Sequence, residues 1–230
     1  MPAAWETTAL RQQTVLLATI CPPDHHVSLR WMRSASRLQF TPAYNPDRDW
    51  VLPEGLPYDE ARNLAAKGAL DGGYNWLAFL DADTIPTKSD AFMQLMQTGL
   101  PFVAGVYRQR APPFRIAAFN EMIDKDGNPG LADLQPFKWG EIVPCAYIPT
   151  GLTLIRCDLL RAVQQKYGNP FEWTMKPFTA PHGRSEDYDY SLKVRQIGIQ
   201  PFLVTYVTAR HEVQWSVGPE DAGIEWGNRF

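Results

Sequence analysis

The chain lacks most of the features that would place it quickly. It has three cysteines in 230 residues. Cys21, Cys145 and Cys157 are widely spaced and form no CxxC, which argues against a disulfide framework and for a reducing compartment. No apolar run approaches the ~18 residues that a spanning helix needs. The first residues, MPAAWETTALRQQ, lack the pattern of a secretory signal, so a soluble cytoplasmic protein is expected. Neither sign of charge dominates. A net charge of −3 offers no basic surface of the kind a polyanion requires, so nucleic acid is not an expected partner. No internal repeat or low-complexity tract is present. What the chain does have is 45% hydrophobic residues, ample for the core of one domain. Its 20 prolines and 8 tryptophans point to many ordered loops.

Thr14–Ile20 (TVLLATI) is a short apolar run closed by Cys21-Pro22-Pro23 and predicts a buried strand. A helix is predicted over Val27–Leu38, then a proline-punctuated loop from Phe40 to Gly55. From Asp59, the residues Ala61, Leu64, Ala65, Gly68 and Ala69 recur at helical period. This face of small side chains lets a helix lie close to a sheet, and Gly72-Gly73 ends it. Trp76–Leu80 is the next strand, and strand, helix, strand in that order implies a parallel pair. Ser89 is placed to cap a helix that buries Phe92, Leu95 and Met96 and stops at Gly99. Pro101–Tyr107 is another strand. The pattern then changes to strands joined by turns, RIAAFNEMIDKDGNPG with a turn at Asp126-Gly127-Asn128 and EIVPCAYI after it, which predicts a small antiparallel lobe. Thr150–Arg156, a helix capped by Asp158 and ending at Gly168, a last helix over Ser185–Gly198 and a strand over Pro201–Arg210 complete the chain. The fold class is α/β, with an α/β first half, a mixed second half and one sheet shared between them.

Four Asp-x-Asp pairs occur: Asp47/Asp49, Asp81/Asp83, Asp124/Asp126 and Asp187/Asp189. Fifteen aspartates produce roughly one such pair by chance, so context has to choose among them. Asp47/Asp49 lies in the proline-rich loop and reads as solvated surface. Asp124/Asp126 begins a calcium-loop-like DKDGN, but Pro129 and Gln135 stand where that loop needs Gly and Glu, so it reads as a hairpin turn. Asp187/Asp189 falls in a first helical turn, where carboxylates suit the macrodipole whatever their function. Only Asp81/Asp83 ends a buried strand, in YNWLAFLDADTIP. That puts two carboxylates at the sheet rim where α/β proteins bind ligands. Close carboxylates repel unless a cation lies between them, and a hard divalent ion is the usual one. The competing reading is a strand end in which Asp81 bonds nearby amides.

Seven segments taken in order carry a resemblance: LLATICPP, Ala61-Arg62-Asn63, the strand-terminal DAD, GVYRQRAPP, TGLTLIR, SEDYDYSLKVRQIG and ARHE. Over nearly its whole length the chain resembles the small, metal-dependent glycosyltransferases of the GT-A fold, of the family 2 type. The resemblance implies a GT-A, Rossmann-like, mixed but mainly parallel central sheet flanked by helices, with a small antiparallel lobe. It implies one domain over residues 1–230, with a nucleotide-binding half to about residue 110 and an acceptor-binding half beyond.

The roles that follow are implied by that resemblance. Thr19 and Pro22 line the base or ribose pocket, or simply form a turn. Arg62 and Asn63 meet the nucleotide or its phosphates, for which a guanidinium is chemically apt, unless Arg62 is a solvated helical residue. Asp81 is the ribose or metal-water contact, Asp83 the direct metal ligand and His211 the closing ligand, around Mn²⁺ or Mg²⁺. His182 is a weaker candidate, and His25 and His26 read as surface. Arg108 and Arg110 add positive charge near the diphosphate. Asp187 is the base of an inverting transfer, held ionised by its helix N-terminus, and Glu186 binds the acceptor. Thr150-Gly151 lies under the acceptor sugar, with Gly151 permitting close approach. Trp139 and Trp173 either stack on a sugar or fill core. The partners implied are a nucleoside-diphosphate sugar and a hydroxyl acceptor, which the sequence leaves open as saccharide, glycolipid or small molecule. A retaining mechanism, a nucleotidyltransferase on a related scaffold and a catalytically silent carbohydrate- or nucleotide-binding protein stay open. The nucleotidyltransferase reading wants a Gly-rich, Lys-containing loop where Cys21-Pro22-Pro23 stands.

Overall fold

The structure, a computed structural model, describes residues 12–21, 27–110, 113–123, 125, 129–134, 137–174 and 185–212. Pro22, His25, His26, His182, the turn Asp126-Gly127-Asn128 and the segment after Glu212 lie outside them, and so do the expectations attached to them. The described elements are β1 (Val15–Ile20), α1 (Leu29–Ala35), α2 (Pro46–Asp49), β2 (Trp50–Val51), α3 (Tyr58–Asp71), β3 (Trp76–Asp81), β4 (Thr84–Pro86), α4 (Ala91–Gln97) and β5 (Phe102–Val106). They continue with β6 (Phe119–Ile123), β7 (Pro129–Asp133), β8 (Ile142–Pro144), β9 (Leu152–Arg156), α5 (Cys157–Tyr167), α6 (Glu186–Gln196) and β10 (Phe202–His211).

One eight-stranded sheet runs in the order β2-β1-β3-β9-β5-β10-β4, with β8 also paired to β10. Strands β2, β1 and β3 are mutually parallel, as are β5 and β10. β9 runs antiparallel between β3 and β5, and β4 and β8 run antiparallel to β10. Strands from both halves of the chain therefore interleave in a single sheet. β6 and β7 form the small antiparallel sheet. EIVPCAYI divides between the two sheets: Ile142–Pro144 pairs with β10 of the main sheet, and Tyr147 makes an antiparallel bridge to Phe119 of β6.

The central strands are buried on both faces, so their side chains alternate between two cores. Leu16, Ala18, Ile20, Leu77 and Phe79 meet α3, α5 and α6 on one face. Val15, Leu17, Trp76, Ala78 and Leu80 meet α1 and α4 on the other. The small-residue face of α3 is rotated from the expected one. Ala61, Arg62, Ala65, Ala66 and Ala69 are buried, while Leu64 is exposed. The rotation matters because it brings Arg62 beneath the sheet rim. α1 is shorter than expected and is capped by Ser28, whose hydroxyl accepts from Trp31 N. Asp90, not Ser89, precedes α4. The carboxylate of Asp158 lies within α5, and Arg156 occupies the cap position. The proline-rich loop contains α2 and β2, and Asp49 is not on the surface. It is buried, accepts from Arg48, Asn45 N and Tyr74, and the Arg48 bond pulls its carboxyl down to about 2.

Gly105 sits in β5 where a β-carbon would lie 2.6 Å from Leu152 Cδ2 and 3.0 Å from the Val207 carbonyl oxygen. A backbone oxygen cannot step aside as a flexible side chain can. Gly105→Ala should therefore lower folding stability by about 1–3 kcal/mol, read as a shift in urea midpoint. An unchanged midpoint would show that the seam between β5, β9 and β10 is looser than described.

Candidate active site

The site is built where β3 stops. Asp81 is the last residue of β3, and its backbone N–H donates to the Gly151 carbonyl at 3.0 Å. This contact exists because β9 runs against β3, which returns the Thr150-Gly151 turn to the acidic tip. The Trp31 indole N–H donates to the Asp81 carbonyl at 2.9 Å and pins the strand end from the α1 side. Three residues on, β4 pairs with the end of β10, His211 opposite Thr84. That short ladder brings a histidine from the C-terminal end of the described chain to the aspartate pair.

Below the rim lies a buried charge network. The Arg62 guanidinium donates from one terminal nitrogen to both Asp81 oxygens, at 3.0 and 3.1 Å, and from Nε to Glu186 at 3.0 Å. It also lies over the Phe79 ring, 4.9 Å from the centroid. Burial opposes its charge, but Asp81 and Glu186 outweigh burial and hold the proton on more firmly. Arg62 is thus neither a solvated helical residue nor turned out toward a diphosphate; it faces inward onto two carboxylates. Its second terminal nitrogen is buried without a hydrogen-bond partner, as are the hydroxyls of Thr84 and Thr150. Asn63 also turns to structure. Its amide donates to the Phe171 carbonyl at 2.7 Å and accepts from Phe171 N at 3.0 Å, clipping that segment to α3.

At the rim, Asp83 faces the Arg110 guanidinium and the His211 imidazole. One oxygen is 2.8 Å from Arg110 and the other is 3.3 Å from His211 Nε2. Tyr58 hydrogen-bonds Arg110. The other His211 nitrogen, Nδ1, is 2.8 Å from the Arg108 carbonyl. A carbonyl only accepts, so Nδ1 carries a proton and Nε2 presents its lone pair to Asp83 when the ring is neutral. Two lone pairs facing each other are unfavourable unless a proton or a metal ion lies between them. Burial alone would lower the His211 pKa, but the Asp83 carboxylate and the Arg108 carbonyl reverse that and raise it.

Among the described residues no three or more His, Cys, Asp or Glu side chains are grouped to hold a metal ion. The expected set of Asp81, Asp83 and His211 is therefore not assembled, because Asp81 is turned onto Arg62. Asp83 and His211 do form a pair. A carboxylate oxygen and an imidazole whose far nitrogen is anchored on a carbonyl suit Mn²⁺ better than Mg²⁺, for which the carboxylate is the apt donor. Such ions are commonly held by one or two protein ligands and complete their shell with water and substrate phosphate. The donor set fits on those terms.

Asp187 lies next to the network, half-buried at the start of α6. Its Oδ1 accepts from the Ser185 hydroxyl and from Tyr188 N at 2.8 Å. The helix N-terminus was expected to hold it ionised. Burial instead raises its carboxyl above the ordinary aspartate value, opposed only in part by Ser185, Arg62 and the Tyr188 amide. Burial likewise pushes Glu186 up to about 7 against the pull of Arg62.

The remaining candidates are spread around this centre. Thr19 is buried and accepts from the Trp50 indole at 3.0 Å. Arg108 donates to the Phe114 carbonyl. A β-carbon on Gly151 would lie 2.5 Å from the Tyr107 hydroxyl and 3.0 Å from Asp81 Oδ2, so the protein's own groups already press on this glycine. Trp173 is exposed and stacks on Tyr58, and Trp139 is exposed beside Phe137, so neither is core. Sequence reasoning missed Tyr107, whose hydroxyl accepts from Gly151 N at 2.8 Å and whose ring packs edge-on to His211. It missed Tyr58 and Trp31 as well. Tyr58 carried a usable signal, since it stands one helical turn before Arg62 on the same face.

No protein-family model and no curated protein sequence matches the chain. Solved structures do match. The structure of A197 from STIV aligns with a TM-score of 0.57 and 17% identity over 88% of this chain and 87% of that one. The structure of GalNAc-T7 with UDP, GalNAc and Mn²⁺ aligns with a TM-score of 0.55 and 12% identity over 92% of this chain and 46% of that one. Likeness at such identities establishes architecture. The chain is a mixed α/β protein with a GT-A-like fold: a large central sheet, flanking helices and a small antiparallel sheet. Among the described residues no helix is long and apolar enough to cross a membrane.

The raised Glu186 carboxyl has a consequence for stability. Its folded value of about 7 lies above the ordinary 4.5. Between those values the folded state holds a proton that the unfolded state has lost, so this group's contribution falls as pH rises from 4.5 to about 7 and is level beyond. Glu186→Gln should lack that slope. Urea unfolding of both proteins across this window should show the wild type losing stability relative to Glu186→Gln as pH rises; a difference that does not change with pH would refute the assignment.

Proposed function

We infer that this protein is a divalent-metal-dependent glycosyltransferase that moves a sugar from a nucleoside-diphosphate sugar to a hydroxyl acceptor, with inversion. The observation that carries the reading is the convergence of Asp83 and His211, which are 3.3 Å apart although separated by most of the chain, beside Glu186 and Asp187 at one rim of a GT-A-like sheet. The GalNAc-T7 structure that shares this architecture contains UDP and Mn²⁺, which supports a nucleotide-sugar donor and a metal here.

Asp83 and His211 would hold Mn²⁺ or Mg²⁺, which when bound to a diphosphate neutralises the charge gained by the leaving group. The first half of the chain, to about residue 110, would carry the nucleotide, with Thr19 and Asp81 near base and ribose. The second half would carry the acceptor beside Asp187, with Thr150, Gly151 and Glu186 as the buried floor beneath it. Asp187 is the proposed base. The Ser185 and Tyr188 bonds both end on Oδ1, and Oδ2 is the oxygen proposed to take the acceptor's proton. As that proton moves, the acceptor oxygen forms a bond to the anomeric carbon, and the bond from that carbon to the phosphate oxygen breaks. The raised carboxyl makes Asp187 a stronger base than an exposed aspartate. Arg62 would keep Asp81 and Glu186 in place and is a positioning residue.

Two tests follow. With Mn²⁺ present, a matching nucleoside diphosphate should raise the thermal midpoint of the wild type and leave that of Asp83→Ala unchanged. A panel of nucleotides that moves neither would sink the metal and donor reading. Asp187→Asn should bind donor and metal as the wild type does and lose about 10²–10⁴ in kcat. A variant that keeps full turnover would remove Asp187 from the chemistry.

A further inference from the structure

We propose that Arg110 is a resident counter-ion for Asp83, exchanged for a divalent cation when the diphosphate arrives, so that metal and nucleotide bind only weakly apart and tightly together. The inference rests on the glycosyltransferase reading of the site and adds an order of events that the fold alone does not contain.

Four observations carry it. The Arg110 guanidinium lies 2.8 Å from one Asp83 oxygen. The other oxygen faces His211 Nε2, the second atom of the pair that suits a metal. Arg110 therefore already supplies, on one side of the carboxylate, part of the positive charge that a metal would bring. The Arg110 side chain is about two-fifths exposed, whereas that of Arg62 is almost wholly buried. One arginine of the site is locked and the other stands where it can swing. Finally, Tyr58, in the first turn of α3, hydrogen-bonds Arg110, and its ring stacks on Trp173 at 5.9 Å. The guanidinium is thus held over Asp83 from a fixed support and is not simply trailing in solvent.

The electrostatics set the direction of the coupling. A divalent ion placed at Asp83 and His211 repels a guanidinium that stays on the same carboxylate. Without another anion nearby, displacing Arg110 forfeits its ion pair and tyrosine contact, and the metal binds poorly. A diphosphate gives the guanidinium a new partner with matching fork geometry and gives the metal oxygen ligands at the same moment. Each ligand removes the penalty for the other, which is reciprocal coupling of the ordinary kind. Asp83 then serves two cations in turn, and the cluster of Asp81, Asp83, Glu186 and Asp187 is never left with Arg62 as its sole cation.

The test is direct binding of Mn²⁺, followed by the electron paramagnetic resonance signal of the unbound ion, with and without a nucleoside diphosphate, for the wild type, Arg110→Gln and Arg110→Lys. Far-ultraviolet circular dichroism checks that each variant is folded. The wild type should bind Mn²⁺ alone weakly and bind it at least about tenfold more tightly with the diphosphate. Arg110→Gln should bind Mn²⁺ alone about tenfold more tightly than the wild type and gain much less from the diphosphate. Arg110→Lys, which keeps the charge but loses the fork, should fall between. If Arg110→Gln binds Mn²⁺ alone no better than the wild type, while the wild type still binds it with the diphosphate, the exchange is wrong and the metal site stands. If no protein binds Mn²⁺ under either condition, Arg110 is the permanent cation of Asp83, and both the exchange and the metal reading fall.

Discussion

The buried guanidinium of Arg62 is the constraint on which the rim depends. Asp81 ends a central strand, Glu186 opens a helix more than a hundred residues later, and both carboxylates are turned on one cation. Burying that many charges is favourable only if they are paired, since an unpaired buried ion costs several kcal/mol. The pairing therefore does more than join two elements. It fixes the start of α6 against the tip of β3, which sets Asp187 beside the acidic strand end. It also commits both Asp81 oxygens to Arg62, whereas the Asp83 oxygens meet Arg110 and His211.

The second constraint is strand direction. Had β9 run parallel to β3, the Thr150-Gly151 turn would lie at the opposite end of the sheet. Because it runs antiparallel, the turn abuts Asp81, and the Tyr107 hydroxyl closes over it. In the same way, the three-residue pairing of β4 with β10 places His211 across from Thr84, and so next to Asp83. Two short antiparallel ladders inserted in a largely parallel scaffold thus assemble the rim. The first locates the backbone floor and the second locates the imidazole.

Much of the secondary structure was legible because the signals are local. Apolar runs bounded by proline or glycine mark β1, β3 and β5. The helical spacing of Phe92, Leu95 and Met96 marks α4, and Gly72-Gly73, Gly168 and Gly198 mark helix ends. The failures have a common physical origin. The apolar side chain of Leu64 predicts a buried face, but the face is chosen by what lies opposite it, and there it is carboxylates that meet Arg62. The proline-rich loop predicts a solvated Asp49, yet Arg48 and Tyr74 give it partners that make burial tolerable. Position alone makes Asp187 an aspartate governed by a helix N-terminus. The low polarity around it outweighs that dipole, and only packing sets that polarity.

The sequence by itself determined the order of the longer strands and helices, the burial of β1 and β3 and the aspartate pair at the end of β3. Each of these follows from residue type and spacing along a few neighbouring positions. Only the tertiary structure decided which of those aspartates pairs with the buried Arg62, which way β9 runs, and which histidine and which arginine meet Asp83. Those outcomes depend on charges and hydrogen-bonding groups that lie far apart along the chain. Their energies exist only once folding has brought the partners within a few ångströms and excluded most of the water between them.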